Sequence, residues 1–114
     1  MIMINPMAQY DYMRVDARSH IKEHIHMFLD RLPDDPKTTT LKVFPEYGLK
    51  LIRLADRCTY SMDTQYQLLN YWNAFYVIFQ DNCKELHAGP EITTAGFKLY
   101  QEITSYIQPT ILFS

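Results

Sequence analysis

The positions of the prolines constrain the fold of this chain most. Proline is tolerated in the first turn of a helix or just past its end, but inside a helix it removes a hydrogen bond and clashes with the preceding turn. The chain has six prolines, and we interpret each as the start or end of a helix: Pro6, Pro33, Pro36, Pro45, Pro90 and Pro109. This spacing predicts four helices, at about residues 6–32, 45–60, 62–88 and 90–108.

Apolar residues recur at spacings of three and four in the predicted helices, as they do on one helical face. The faces of the first, second and last helix are Met7, Tyr10, Met13, Ala17, Ile21, Ile25, Phe28 and Leu32; Tyr47, Leu51, Leu54, Ala55 and Cys58; and Ile92, Gly96, Leu99, Ile103 and Tyr106. Asn5 and Ser61 are suitable N-caps for the first and third helices, and Gly89 with Pro90 marks the end of the third.

Residues 38–44 do not follow the helical pattern as clearly. They contain several β-branched residues and follow Pro33 and Pro36, which favours an extended segment or a short strand. An α+β alternative therefore stays open, with residues 38–44 and 49–54 paired as a hairpin. The chain has only three glycines and no Asn-Gly or Asp-Gly turn, which disfavours a β-rich fold. The predicted fold is all-α, an irregular four-helix bundle.

Length and composition indicate one globular unit. The chain has 114 residues, 47% of them hydrophobic and 21% charged, which fits a single folded domain and not a disordered chain. We expect one helical domain over residues 1–114, with an apolar tail at 109–114. Cys58 and Cys83 are too far apart for a CxxC site, and we expect both to be reduced core residues.

The sequence predicts a cytoplasmic protein. The N-terminus has no basic leader of the kind that a secretory signal requires. The longest uncharged stretch, residues 64–80, is short for a membrane span and is interrupted by Gln and Asn residues. We therefore expect neither export nor a transmembrane helix.

One local motif contains metal-binding side chains. His20-Ile21-Lys22-Glu23-His24 has the form H-x-x-E-H, and two histidines four residues apart project from the same side of a helix. The motif resembles that of the inverted zinc peptidases, in which the histidines bind zinc and the glutamate is the general base. Only five residues match, and no third ligand is evident unless Glu85 or His87 packs nearby. We expect His20 and His24 to be boundary residues and no metal or cofactor to be bound.

A second motif is Arg14 followed by His20. This R-x5-H spacing is similar to the signature of HEPN-type helical ribonucleases, but there the motif lies in a later helix of the domain. Glycine-rich phosphate loops and the G-x-S-x-G nucleophile motif are missing from the sequence. We therefore predict a protein that is not an enzyme, and a metal-dependent or ribonuclease-like enzyme using His20 and His24 is the alternative.

Charge gives a third hypothesis. The formal net charge of −2 provides no overall attraction to nucleic acid. Lys42, Lys50, Arg53 and Arg57 could form a basic edge on the second helix, although Asp56 interrupts it. An ordinary charged helix face explains these residues better, so nucleic-acid binding ranks third.

The third helix carries more apolar surface than one core face needs. From Tyr71 to Phe79, Asn73 is the only conventionally polar residue. One core face is already supplied by Leu68, Trp72, Phe75, Phe79, Cys83 and Leu86, and the residues on other sides are Tyr71, Ala74, Val77 and Ile78. A helix that is apolar nearly all round is either central in its fold or covered by another chain. We expect part of this helix to contact a partner, together with Leu49, Ile52, Phe97 and residues 111–113.

The leading functional hypothesis is thus a non-enzymatic interaction protein. It would act as a homo-oligomer or as a small helical adaptor or inhibitor that docks on a larger protein. Aromatic side chains dominate the energetics of such interfaces. The predicted partner-binding residues are Tyr71, Trp72, Tyr76, Val77 and Phe79.

Overall fold

The computed structural model describes residues 6–57 and 62–107, with side chains from residue 17 in the first range and from residue 63 in the second. These ranges contain four α-helices and one short 3-10 turn at Pro36–Thr38, and no β-strand. The helices are α1 (Pro6–Asp30), α2 (Thr39–Arg57), α3 (Met62–Glu85) and α4 (Pro90–Ile107). They pack against each other as a four-helix bundle, which confirms the predicted all-α class.

Contacts between rings and glycines establish that α2 and α3 are antiparallel. Phe44 stacks on Phe79 with ring centroids 4.5 Å apart, and Tyr47 stacks on Phe75 at 4.2 Å. One residue further along α2, Gly48 lies against Trp72, which precedes Phe75 in α3. Residues later in α2 therefore contact residues earlier in α3.

The core is built around Trp72, which is completely buried. Its ring stacks on Phe44 at 4.5 Å, and its Nε1 donates a hydrogen bond to the Tyr100 carbonyl at 3.1 Å. A buried indole needs such an acceptor, because an unpaired N–H would cost free energy. Helix α1 closes the core on the α4 side and contributes Ile21, Ile25 and Phe28, all of them buried.

Two glycines let the helices approach closely. A Cβ at Gly48 would lie 2.5 Å from Ile103 Cδ1 and 3.1 Å from the Trp72 ring. A Cβ at Gly96 would collide with the Phe79 ring. Both positions place a helix backbone directly on a core side chain.

The extended segment predicted at residues 38–44 is wrong, and so is the 38–44/49–54 hairpin. Thr38 closes the 3-10 turn, and residues 39–44 are the first turns of α2. Pro45 accordingly lies inside α2 and not at its start. Its ring is fully buried, so packing within the bundle outweighs the backbone hydrogen bond that the proline cannot donate.

Two helix ends also differ from the prediction. Helix α1 ends at Asp30, two residues early, and α3 ends at Glu85. His87 then adopts a left-handed conformation (φ 53°), while Ala88 N donates to the Cys83 carbonyl at 2.9 Å and His87 N to the Lys84 carbonyl at 3.2 Å. This is a Schellman cap with histidine in the position that glycine usually takes, so α3 ends before Gly89.

The buried face of α2 is rotated from the one predicted. Ile52 is buried and Leu54 is 43% exposed, the reverse of their predicted places. The rotation follows from the additional helical turns before Pro45, which bring Leu41 and Phe44 into the core. Asn5, Cys58 and Ser61, and the tail at residues 109–114, lie outside the described residues.

Candidate protein-interaction surface

Helices α2 and α3 meet along a line that we call the seam. At the protein surface the seam opens into an apolar groove. Its floor is the stacked pair of Tyr47 and Phe75, which are half-buried, with nearly parallel rings at an interplanar angle of 15°. The groove has a cavity volume of about 230 Å³ and also contacts Thr40, Val43, Phe44, Ile78, Phe79 and Asn82. Aromatic and aliphatic side chains thus form a continuous surface between the two helices.

Apolar residues extend this groove along both helices. On α3, Tyr71 and Ile78 lie one turn to either side of Phe75 and are 58% and 54% exposed. On α2, Val43 and Leu54 lie on the same stripe as Tyr47, at spacings of four and seven residues. We define the α2–α3 face as these six residues: Val43, Tyr47, Leu54, Tyr71, Phe75 and Ile78.

The structure separates the five predicted partner-binding residues. Trp72 and Phe79 are inside the core, with exposures of 0% and 2%, so neither reaches the surface. Tyr76 is half-buried between α3 and α4, where its ring stacks on Tyr100 at 4.0 Å. Only Tyr71 and Val77 are largely exposed, and they lie on different sides of α3, because six residues turn a helix by about 240°.

The other residues expected at this surface are also dispersed. Phe97 is exposed beside Tyr76, across α3 from the α2–α3 face, and Leu49 is half-buried. Ile52 belongs to the core, and residues 111–113 lie outside the described ranges.

The sequence analysis missed Val43 and Leu54 as members of this surface, whereas Ile78 belongs to the apolar part of the third helix that we expected to contact a partner. The sequence pattern predicts an extended segment at Val43 and a core position for Leu54. The signal that could have found them is the spacing of Val43, Tyr47 and Leu54, which stays helical across Pro45. The proline at that position concealed it.

Charged residues border the α2–α3 face with opposite signs on the two helices. Lys42, Lys50, Arg53 and Arg57 are exposed on α2. The Lys50 Nζ lies 5.8 Å from the centre of the Tyr47 ring, within the range of a cation–π contact. On α3 the exposed charges are mainly acidic: Asp63, Asp81 and Glu85, with Lys84.

The histidines of the H-x-x-E-H motif point to different neighbours. His20 is exposed, with Nδ1 4.0 Å from Glu23 Oε2 on the same helix. His24 is partly buried, with Nε2 3.9 Å from Glu102 Oε1 on α4. No group of three His, Cys, Asp or Glu side chains suited to a metal ion occurs within residues 17–57 and 63–107. The Arg14 side chain lies outside the described part of the chain.

A second groove lies between α3 and α4, with a volume of about 400 Å³. Tyr76, Cys83, Lys84, His87 and Thr93 are among its lining residues. Burial raises the pKa of the Cys83 thiol to about 11, and burial, followed by the neighbouring Tyr100 and Cys83, raises the pKa of Tyr76. Cys83 is therefore protonated at neutral pH and is not a thiolate nucleophile there.

Comparison with known proteins identifies no relative of this chain. No protein-family model, curated protein or solved structure matches this chain. None of the helices, over the residues described, is long and apolar enough to cross a membrane.

Proposed function

We propose that this chain is a non-enzymatic interaction module that binds another protein chain through the α2–α3 face. The partner is a second copy or a heterologous protein that the chain serves as adaptor or inhibitor. Binding requires a partner with a complementary apolar surface, because all six side chains that define the face are uncharged.

The observation that supports this proposal is the continuity of the apolar surface. The exposed Leu54, Tyr71 and Ile78 surround the half-buried Tyr47–Phe75 stack, with the basic and acidic residues at the edges. An apolar centre with aromatic residues and a polar rim is the usual anatomy of a protein interface. Burying it in a complex would remove apolar area from water, which is favourable.

The opposite side of α3 exposes much less apolar surface. Val77 and Tyr66 are exposed there, but they are eleven residues apart, which is about 16 Å along a helix. Asn70 and Asn73 lie between them and are exposed. Isolated exposed apolar residues are normal on protein surfaces and do not indicate a partner.

Site-specific photo-crosslinking in the native cells tests the proposal. A benzophenone side chain is placed at Tyr71, on the α2–α3 face, or at Tyr66, an exposed tyrosine on the other side of the same helix. We expect a discrete protein adduct from position 71 and little or none from position 66. The adduct mass reports the partner, since two copies of this 13.6 kDa chain would double its mass.

Absence of an adduct at position 71 would contradict the proposal, and so would equal yields at the two positions. Circular dichroism of both labelled chains controls for folding, because each substitution replaces an exposed aromatic side chain by another aromatic one. A Val77 probe separately tests the wider surface predicted from the sequence.

A further inference from the structure

We infer that the partner of the α2–α3 face is a second copy of this chain, in an arrangement that places α2 of each copy opposite α3 of the other. This inference rests on the proposed function and adds the partner's identity and orientation. It comes from the distribution of charge around the face.

The two helices that form the face carry opposite net charges on their exposed sides. Helix α2 exposes four basic residues and one acid, Glu46, for a net charge of +3. Helix α3 exposes three acids and one base, Lys84, for a net charge of −2. Asp56 is excluded from this count because it is partly buried and paired with Arg18.

A two-fold dimer brings the same face of both copies together, and two orientations of its axis are relevant. An axis parallel to the seam sets α2 opposite α3 of the other copy. The net charge of +3 on α2 then faces the net charge of −2 on α3 at two symmetric positions. An axis across the helices sets α2 against α2 and α3 against α3, so that like charges meet. Charge complementarity therefore selects the axis parallel to the seam.

The register of the helices matches specific charges in this arrangement. Counting from the Tyr47–Phe75 stack in opposite directions along the two helices, Lys42 is level with Gln80 and Arg57 with Gln65. An axis parallel to the seam preserves these levels. Lys42 then lies opposite Asp81 of the second copy, and Arg57 lies close to Asp63 of that copy, within about two residues, or 3 Å, along the axis.

The apolar residues also become mutually covered. Tyr71 and Ile78 of one copy lie over the stripe of Val43, Tyr47 and Leu54 of the other, and the reverse contact forms by symmetry. One contiguous strip on each copy thus provides both halves of the interface.

Sedimentation of the purified 114-residue chain over a range of concentrations tests whether it self-associates. We expect a monomer–dimer equilibrium that Ile78→Asp weakens by at least about tenfold, as loss of a central apolar contact does. Val77→Asp is the matched control, since Val77 is the adjacent β-branched residue and equally exposed at 54%. It should leave dimerisation unchanged. Equal effects of the two substitutions would overturn the assigned face.

Charge reversal tests the orientation. Lys42→Glu and Asp81→Lys each put like charges at two symmetric contacts, and at low salt each should weaken the dimer about three- to tenfold. Both changes suit the helix dipole, because Lys42 is in the first turn of α2 and Asp81 is near the end of α3. The double variant should recover the affinity of the parent chain.

The outcomes separate the dimer from the proposed function. A chain that stays monomeric at millimolar concentration overturns the inference, and a double variant that recovers no affinity overturns the orientation. If a monomeric chain still gives a heterologous adduct from position 71, the proposed function stands and the second copy is excluded. If it is monomeric and gives no adduct, both fail.

Discussion

At the scale of single residues, burial determines which side chains keep their chemical reactivity. The chain's only two thiols are those of Cys58 and Cys83, and only Cys83 lies within the described residues, on the core side of α3. Burial disfavours the charged form of a thiol and so raises its pKa. For Cys83 this places the pKa at about 11, compared with an ordinary value of 9.0.

Alkylation kinetics of a Cys58→Ser variant should show this shift. Because two pKa units reduce the thiolate fraction about a hundredfold at pH 8, folded Cys83 should react with iodoacetamide about a hundred times more slowly than in the urea-unfolded chain. The folded pKa is raised, so the contribution of Cys83 to stability is complete below pH 9 and is lost as pH rises towards about 11. Equal rates in the folded and unfolded chains would show that the thiol is not shielded.

At the scale of secondary-structure elements, α3 and α4 can approach closely because Gly96 has no side chain. The Phe79 ring lies against the α4 backbone at Gly96 while it stacks on Phe44 at 4.5 Å and contacts Phe28 at 5.6 Å. The ring is enclosed on three sides. It therefore has little space into which it can move.

Gly96→Ala should consequently destabilise the protein. The added methyl group forces the Phe79 ring or α4 to shift, which costs about 1–3 kcal/mol, and about 1 kcal/mol of this is offset by the better helix propensity of alanine. We expect a net loss of up to about 2 kcal/mol, measured by urea unfolding. Gly89→Ala is the control, because a Cβ there meets nothing within 4 Å, and it should change stability by less than about 0.5 kcal/mol.

At the scale of the whole molecule, Asp56 joins three helices. Its carboxylate accepts a hydrogen bond from the Tyr106 hydroxyl of α4 and one from Arg18 Nη1 of α1, the latter at 3.1 Å. Helix α1 otherwise packs mainly on α4. The carboxylate therefore connects α2 to the α1–α4 pair.

Asp56→Ala should loosen this connection and cost about 1–3 kcal/mol, since it removes the acceptor that the Tyr106 hydroxyl and Arg18 Nη1 share. Amide hydrogen exchange should speed up in α1 near Arg18 and at the end of α4 near Tyr106. Glu46→Ala, an exposed acid on the same helix, should do neither. If exchange in α1 were the same in the two variants, Asp56 would not couple the helices.

The sequence by itself determined the all-α class and the four helices, because periodicity and capping are local properties of the chain. It predicted the start of α4 at Pro90. It also predicted the buried face of α1, with Ile21, Ile25 and Phe28, and that of α4, with Leu99 and Ile103. These stripes are narrow enough to have one inward side, so a helical wheel suffices to locate it.

Only the tertiary structure decided the start of α2 and which exposed residues of α3 border α2. A buried ring at Pro45 is stable inside a helix because the neighbouring helices enclose it, and local rules do not include those neighbours. On α3, periodicity predicted the buried side that carries Leu68, Trp72, Phe79 and Cys83. Residues 71–79 are apolar on several further sides, so periodicity did not show which of the exposed residues border α2. Trp72 is buried and Tyr71 exposed because α2 and α4 approach α3 from one direction, at the distance that Gly48 and Gly96 permit.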